Sequence, residues 1–293
     1  MRISSRLVCT LSASSVLIST AASAGSPPFQ FSNQTTQAGL ESINAFASSQ
    51  LYTPMSGAGV AADFNNDGYD DIFHLGSLNP NSLFINNQDG TFTNQATDWG
   101  IAGPFHSFAA SAADFNNDGY MDIFISAFGP AESAPQAGKL MLMRNNGPDS
   151  NGQWSFTDVA LSAGVNHLDP GTNRKEGTGS GWGDYDLDGD HDLFVCSYNP
   201  LVSNNRLFRN DGEDHTGTWR FTDVTAEAGL EITGLSGFLP SFVDMNRDRH
   251  PDLIIVGDTG TSKYFVNNHD GTFTDMTANV ADVSIANAMG IDV

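Results

Sequence analysis

The stretch ADFNNDGYDDIF, Ala62–Phe73, returns almost unchanged as ADFNNDGYMDIF at Ala113–Phe124. Asp63, Asp67 and Asp71 stand at alternate or near-alternate positions of the first copy, with Asp114, Asp118 and Asp122 matching them in the second. Like charges held that closely repel, so a folded loop of this kind needs something to neutralise them. Two looser versions follow, DYDLDGDHD from Asp184 and DMNRDRHPD from Asp244, and the four starts are separated by 51, 70 and 60 residues. Self-similarity at such a period marks a repeat architecture.

A second motif interleaves with the first: LFINNQDGTFTN from Leu83, LMRNNGPDSNGQWSFTD from Leu142, RLFRNDGEDHTGTWRFTD from Arg206 and KYFVNNHDGTFTD from Lys263. Each reads as an apolar strand, a polar turn and a strand centred on Phe-Thr. The short turns use Asp-Gly, which hairpins favour. Small residues before the acidic loops (GAGVAA, AASAA, GSGWG) form a first strand, and DIFHL, DIFIS, DLFVC and DLIIV form a second. Four short antiparallel strands per unit predict an all-β chain of propeller blades, with the small residues where inner strands converge. A stacked β-helix has shorter repeats and lacks four strands per unit. PFQFSNQTTQAGL matches FTDVTAEAGL from Phe221 in spacing, and NAMGIDV at the end resembles another first strand. The expectation is four full blades plus partial end strands over residues 25–293, an incomplete piece of a longer propeller.

The acidic loops offer hard oxygen donors. In the first, Asp63, Asn65 and Asp67 hold positions 1, 3 and 5, Gly68 permits a sharp turn, Tyr69 would offer its carbonyl, and Asp71 closes the cage. The matching candidates are Asp114, Asn116, Asp118, Tyr120 and Asp122; then Asp184, Asp186, Asp188, Asp190 and Asp192; then Asp244, Asn246, Asp248, His250 and Asp252. Ca²⁺, with six to eight oxygen ligands, suits such loops better than Mg²⁺, and there are no soft ligands for zinc or copper. An EF-hand would need Glu at position 12, where this chain has His74, Ile125, Val195 and Ile255. A solvated acidic turn without metal is the plain alternative for one copy, but four copies at matching strand positions argue against it. The third loop, with acids at Asp184, Asp186, Asp188 and Asp192, should bind calcium most tightly. Arg249 replaces the turn glycine in the fourth, which should bind weakly or not at all.

Residues 1–24 stand apart: Arg2 and Arg6, an apolar, Ser-rich run from Leu7 to Ala22, and a small-x-small site at Ala22-Ser23-Ala24. This pattern predicts a secretory signal peptide, with Gly25 beginning the mature chain, and the run is too short for a membrane span. Losing two arginines would take the formal charge from −22 to −24. Such a charge repels nucleic acid and anionic lipid, which argues against both as partners. Cys196 is the only cysteine beyond the leader, so no internal disulfide is available, and it reads as a small core residue.

The loops and strands resemble the FG-GAP or VCBS-type repeats of integrin α-subunit propellers. The pairing of Asp-Phe-Asn-Asn-Asp-Gly with Phe-Thr-Asp-Val-Thr-Ala-Glu-Ala-Gly-Leu is similar to the cartilage acidic protein and UnbV group. The resemblance runs from Phe29 to Val293 and implies a seven-bladed or similar propeller with calcium between first and second strands.

No nucleophile elbow, HExxH or phosphate loop occurs. His106 in PFHSF could line a channel mouth but reads more simply as a turn residue. The function expected is therefore a non-catalytic binding or adhesion module for an extracellular protein or polysaccharide, whether free, at the cell surface or in a periplasm. The alternative is a polysaccharide-acting, lyase-like enzyme. Its only local hint is Arg174, Lys175 and Glu176 in the DPGTNRKEGTG insertion, which reads as an exposed loop.

Overall fold

The structure, a computed structural model, describes residues 32–41, 58–76, 79–103, 107–130, 140–166, 174–198, 201 and 204–280. The leader, Cys9, His106, His167 and the final NAMGIDV lie outside the described residues.

Every repeat forms a sheet of four consecutive antiparallel strands. Blade 1 is β1 (Gly59–Ala62), β2 (Asp71–His74), β3 (Ser82–Asn86) and β4 (Phe92–Asn94); blade 2 is β5 (Ser107–Ala113), β6 (Asp122–Pro130), β7 (Met141–Pro148) and β8 (Trp154–Asp158). After the one-turn helix α1 (Ala160–Ala163) and the short β9 (Arg174–Glu176), blade 3 comprises β10 (Gly179–Gly183), β11 (Asp192–Cys196), β12 (Arg206–Glu213) and β13 (Trp219–Asp223). Blade 4 is β14 (Gly237–Val243), β15 (Asp252–Gly257), β16 (Lys263–Asn267) and β17 (Phe273–Asp275). The four-stranded units read from the sequence are thus present as four blades of an incomplete propeller. Part of the DPGTNRKEGTG insertion is a strand rather than a loop: Arg174, Lys175 and Glu176 pair with Pro130, Gly129 and Phe128 at the end of β6.

Each acidic loop closes the hairpin between first and second strands, with Ala62 opposite Asp71 and Gly183 opposite Asp192. The longer Asn-rich turns of blades 2 and 3 are absorbed by bulges between Asn145 and Pro148 and between Asn210 and Glu213.

The inner strands β1, β5, β10 and β14 neighbour one another in that order. Ser111 and Ser180 hydroxyls meet at 2.6 Å across the β5–β10 boundary. At the next boundary the side-chain sizes are complementary. β14 carries Phe238, Pro240 and Phe242, and it fits because β10 opposes it with Gly179, Gly181 and Gly183. A Cβ at Gly181 would stand 2.7 Å from Pro240 O, and one at Gly183 would stand 2.5 Å from Phe242 Cβ. The expectation of small residues on inner strands therefore holds for three blades, and glycine on one neighbour admits bulk on the fourth.

Because side chains alternate across a strand, each second strand feeds two cores. Ile123 and Ile125 join Phe64, Phe73 and Leu83 between blades 1 and 2, whereas Phe124 joins Leu193 and Phe208 between blades 2 and 3. Phe194, Leu207, Leu253 and Ile255 form the next layer, which also buries Cys196. Each fully buried Phe or Leu contributes about 2 kcal/mol. Blades 1, 2 and 3 end in the same tight turn, with Gly100, Gly164 and Gly229 at φ 74°, 88° and 75°. Gly39 at φ 73° makes the matching turn before blade 1, and blade 4 is followed instead by the short 3-10 turn Thr277–Asn279. The glycine turns join neighbours: Phe92, Phe156 and Phe273 N–H groups donate to Ala38, Trp99 and Ala228 carbonyls. The described piece before blade 1, residues 32–41, is thus a blade-ending turn matching TAEAGL of blade 3, as the sequence spacing predicts.

Candidate metal centre

The four acidic loops share one hydrogen-bonded frame, built from position 9 outward. Asp71, Asp122, Asp192 and Asp252 are wholly buried. One oxygen of each accepts the backbone N–H of position 2 (Phe64, Phe115, Tyr185, Met245, at 3.0–3.2 Å). The other accepts the N–H of an asparagine in the third strand (Asn86, Asn145, Asn210, Asn267, at 2.7–3.0 Å). A carboxylate has about four lone-pair sites, so each oxygen of Asp71, Asp122 and Asp192 keeps one for a cation, whereas Asp252 Oδ2 also accepts the Tyr264 hydroxyl at 2.9 Å. Burial raises the carboxyls of Asp71 to about 6 and of Asp122 and Asp192 to about 8, against the lowering effect of the amides; neighbouring loop acids add to the rise.

Those asparagines are the residues that sequence reading overlooks. Asn145, Asn210 and Asn267 are buried, and their Nδ2 groups donate across the blade boundary to the position-2 carbonyls of Phe64, Phe115 and Tyr185, at 2.9, 2.8 and 2.7 Å. Their Oδ1 atoms accept the N–H two residues on, from Gly147, Gly212 and His269. Each amide therefore ties its own loop to the loop of the preceding blade. The visible signal was the Asn at a fixed place in LFINN, LMRNN, LFRND and YFVNN.

Position 1 braces the bend through the loop's own amides. Asp63 accepts the N–H groups of Asp67 and Gly68 at 3.0 and 2.7 Å, and Asp114, Asp184 and Asp244 repeat the pattern. Two left-handed residues make the bend: position 4 (Asn66, Asn117, Leu187, Arg247, φ 54–66°) and position 6 (Gly68, Gly119 and Gly189, φ 86–98°). Arg249 takes φ 76° at position 6 of the fourth loop, so that loop keeps the common turn and bears the strain rather than relaxing to another. The position-7 amides of Tyr69, Tyr120, Asp190 and His250 each donate to the position-5 carboxylate at 2.8–3.0 Å. Position-7 side chains diverge: Tyr69 is exposed, Tyr120 meets the Trp154 ring edge-on, and His250 stacks on His269 at 3.8 Å.

Position 3 separates the loops electrostatically. Asn65, Asn116 and Asn246 donate from Nδ2 to the position-5 carboxylates at 2.9, 2.8 and 2.7 Å. Asp186 has no proton to donate when ionised. Carboxylate oxygens of Asp184, Asp186 and Asp188 lie within 4.8 Å of one another. Burial and the charge of Asp188 raise the Asp186 carboxyl, and the same two causes raise Asp190. Oxygens on opposite sides of a Ca²⁺ ion, each at about 2.4 Å, are about 4.8 Å apart, so the donor set fits that ion. In the fourth loop the opposite holds. The His250 amide and the His269 ring, whose Nε2 lies 2.8 Å from Asp248 Oδ2, hold the Asp248 carboxyl down at about 2. Arg247 and Arg249 add two formal positive charges to that loop.

The loops also touch one another. Asn66 Nδ2 donates to Gly119 O at 3.3 Å, and Asn117 Nδ2 donates to Gly189 O and to Asp190 Oδ1 at 3.3 and 2.7 Å. Leu187, at the same position of the third loop, has no donor to continue the series.

The family model for FG-GAP-like repeats matches residues 25–125 and 184–255. No curated protein matches the chain. Among solved structures, an Agrocybe aegerita lectin described by its specific recognition of non-reducing terminal N-acetylglucosamine is similar at 16% identity and a TM-score of 0.33. That match covers 75% of this chain and 65% of the lectin. The V. cholerae biofilm matrix protein Bap1 is similar at 14% identity and a TM-score of 0.33, covering 78% of this chain and 41% of Bap1. The chain therefore spans less than two thirds of the length of either. Among the described residues, no helix is long and apolar enough to cross a membrane.

Proposed function

Because the chain belongs to the FG-GAP-like repeat family, we propose that it is a secreted, calcium-stabilised propeller acting as a non-catalytic extracellular binding module. Its partner would be a protein or a polysaccharide, presented with loops on a rigid scaffold. The supporting observation is the third loop, where Asp184, Asp186 and Asp188 converge with no asparagine donor between them. Such a cluster is stable at neutral pH when a divalent cation offsets its repulsion. The ion would do structural work: it adds stability by mass action while it is present, at the 10⁻⁴ to 10⁻³ M affinities common in extracellular modules. The residues that would hold it are positions 1, 3, 5 and 9 of the first three loops, with the position-7 carbonyl. Export rests on the leader-like residues 1–24, and the finer likeness to the cartilage acidic protein and UnbV group rests on the paired motifs.

Calorimetric titration with Ca²⁺ tests the metal part, and loss of the strongest heat in Asp186→Asn is expected. A glycan array together with an assay for unsaturated sugar products tests the binding part. Array binding without product formation supports the module, and accumulation of unsaturated sugars would establish the lyase-like alternative.

A further inference from the structure

Blades 2 and 3 end their third-to-fourth strand turns with a tryptophan two residues before the Phe-Thr pair, Trp154 and Trp219. These two indoles meet different neighbours. Trp99, in the turn that ends blade 1, stacks on Trp154 with ring centroids 5.0 Å apart and planes 7° from parallel, and Tyr120 closes on Trp154 edge-on at 5.4 Å. One blade further on, Ala163 stands where Trp99 stood, and Asp190 stands where Tyr120 stood.

The backbone does not change to compensate. Trp99 N–H donates to Gln95 O and Ile101 N–H to Ala96 O at 3.0 and 2.9 Å; Ala163 N–H donates to Val159 O and Val165 N–H to Ala160 O at 2.8 and 3.0 Å. Gly100 and Gly164 take the same left-handed conformation. At this second boundary, beside Ala163, lies a cleft of about 110 Å³, lined chiefly by Phe115, Arg144, Val159, Ser162, Ala163 and Trp219.

We propose that this cleft binds the indole ring of a tryptophan side chain on a partner protein, seated where Trp99 sits one boundary earlier. The wall chemistry matches that occupant. Trp219 supplies a ring held edge-on to Phe115 at 6.1 Å. Arg144, whose Nε and Nη2 both donate to the uncharged Asn146 Oδ1, supplies a cation to an aromatic face. Ser162 Oγ donates to Val159 O at 3.0 Å and keeps its lone pairs for an incoming indole N–H. In the filled boundary that N–H of Trp99 goes to Gln95, whose counterpart here is the apolar Val159. A pyranose ring suits the cleft less well, because one guanidinium and one hydroxyl cannot satisfy the ring of hydroxyls that it would bring. The acidic chain favours tryptophans flanked by Lys or Arg.

The inference rests on the reading of the chain as a binding module and deepens it. Its test is a ¹⁹F titration of 5-fluoroindole, with N-acetyl-tryptophanamide and N-acetylglucosamine as competitors, on the full chain with calcium present. Saturable shifts displaced by N-acetyl-tryptophanamide are expected. Ala163→Trp, which fills the cleft from within, and Trp219→Leu, which removes its stacking wall, should each abolish them at least tenfold below the wild-type affinity. Trp99→Ala should open a second site of the same kind. No saturable shift in the wild-type chain, or an unchanged titration in a folded Ala163→Trp or Trp219→Leu protein, would overturn the proposal, as would displacement by the sugar alone. If calcium still raises the melting temperature in that case, the cleft assignment fails and the metal reading stands.

Discussion

The third and fourth acidic loops share a backbone and differ in almost everything electrostatic. Both are bent by left-handed residues at positions 4 and 6, and both are anchored by a buried position-9 aspartate and a third-strand asparagine. Asp188 and Asp248 both accept the position-7 amide, yet the third gathers three carboxylates with no side-chain donor among them, whereas the fourth adds Asn246 and His269 to Asp248. The frame is thus separable from the charge it holds. Hydrogen bonds to main chain make the loop, and the side chains at positions 3, 4 and 6, with those that reach the loop from the third strand and the turn after it, decide whether it needs an ion.

The largest test of that separation is the frame itself. Asn210→Ala and Asn267→Ala each strand a carbonyl of the preceding blade and the backbone N–H two residues on, at an expected cost of about 3 kcal/mol. Urea denaturation should give similar losses for the two, in calcium and in chelator alike. A large loss in only one would mean that the loops do not share a frame.

Chelation comes next. At free calcium of about five times Kd, each occupied loop gains about 1 kcal/mol, so three loops should lose about 3 kcal/mol, or several degrees of melting temperature, in chelator. The metal-free chain should also respond to pH. Asp71, Asp122 and Asp192 have folded values raised to about 6, 8 and 8, above the usual carboxylate range near 4. The folded state then holds more protons than the unfolded one between about pH 4 and 8, and stability must fall as pH rises through that window. Calcium should flatten the slope, and a flat profile in chelator would show that these acids ionise normally.

How much of this was legible in advance follows from what repeats reveal. The four blades, their strand order and the loop positions follow from Asp-x-Asn/Asp-x-Asp and Asn-Asn/Asp...Phe-Thr recurring in step, because each copy confirms the period of the others. Position 9 was legible as a ligand candidate but not as an anchor, since one carboxylate can take two amides and still face a cation. The inter-blade asparagines were hidden because their partners are main-chain carbonyls 81 to 95 residues away. The bulky β14 escaped the small-residue rule because its fit depends on glycines in another blade.

A smaller test exchanges single features between the two loops. Asp186→Asn should give the third loop the internal donor of the others and weaken its calcium affinity roughly tenfold, about 1.4 kcal/mol, read by calorimetry. The smallest effect is expected from Arg249→Gly. Because Arg249 sits at φ 76°, glycine should relieve strain and stabilise the fold by about 1 kcal/mol without creating a calcium site, since Arg247 keeps its charge and the Tyr264 hydroxyl still occupies Asp252 Oδ2.

The most direct measurement is crystallographic: anomalous difference density from crystals grown in millimolar CaCl₂, inspected in all four loops. The expected result is a peak enclosed by Asp184, Asp186, Asp188 and Asp192, peaks in the loops beginning at Asp63 and Asp114, and none beside Asp248. An empty third loop, or a peak in the fourth as strong as in the third, would contradict the account.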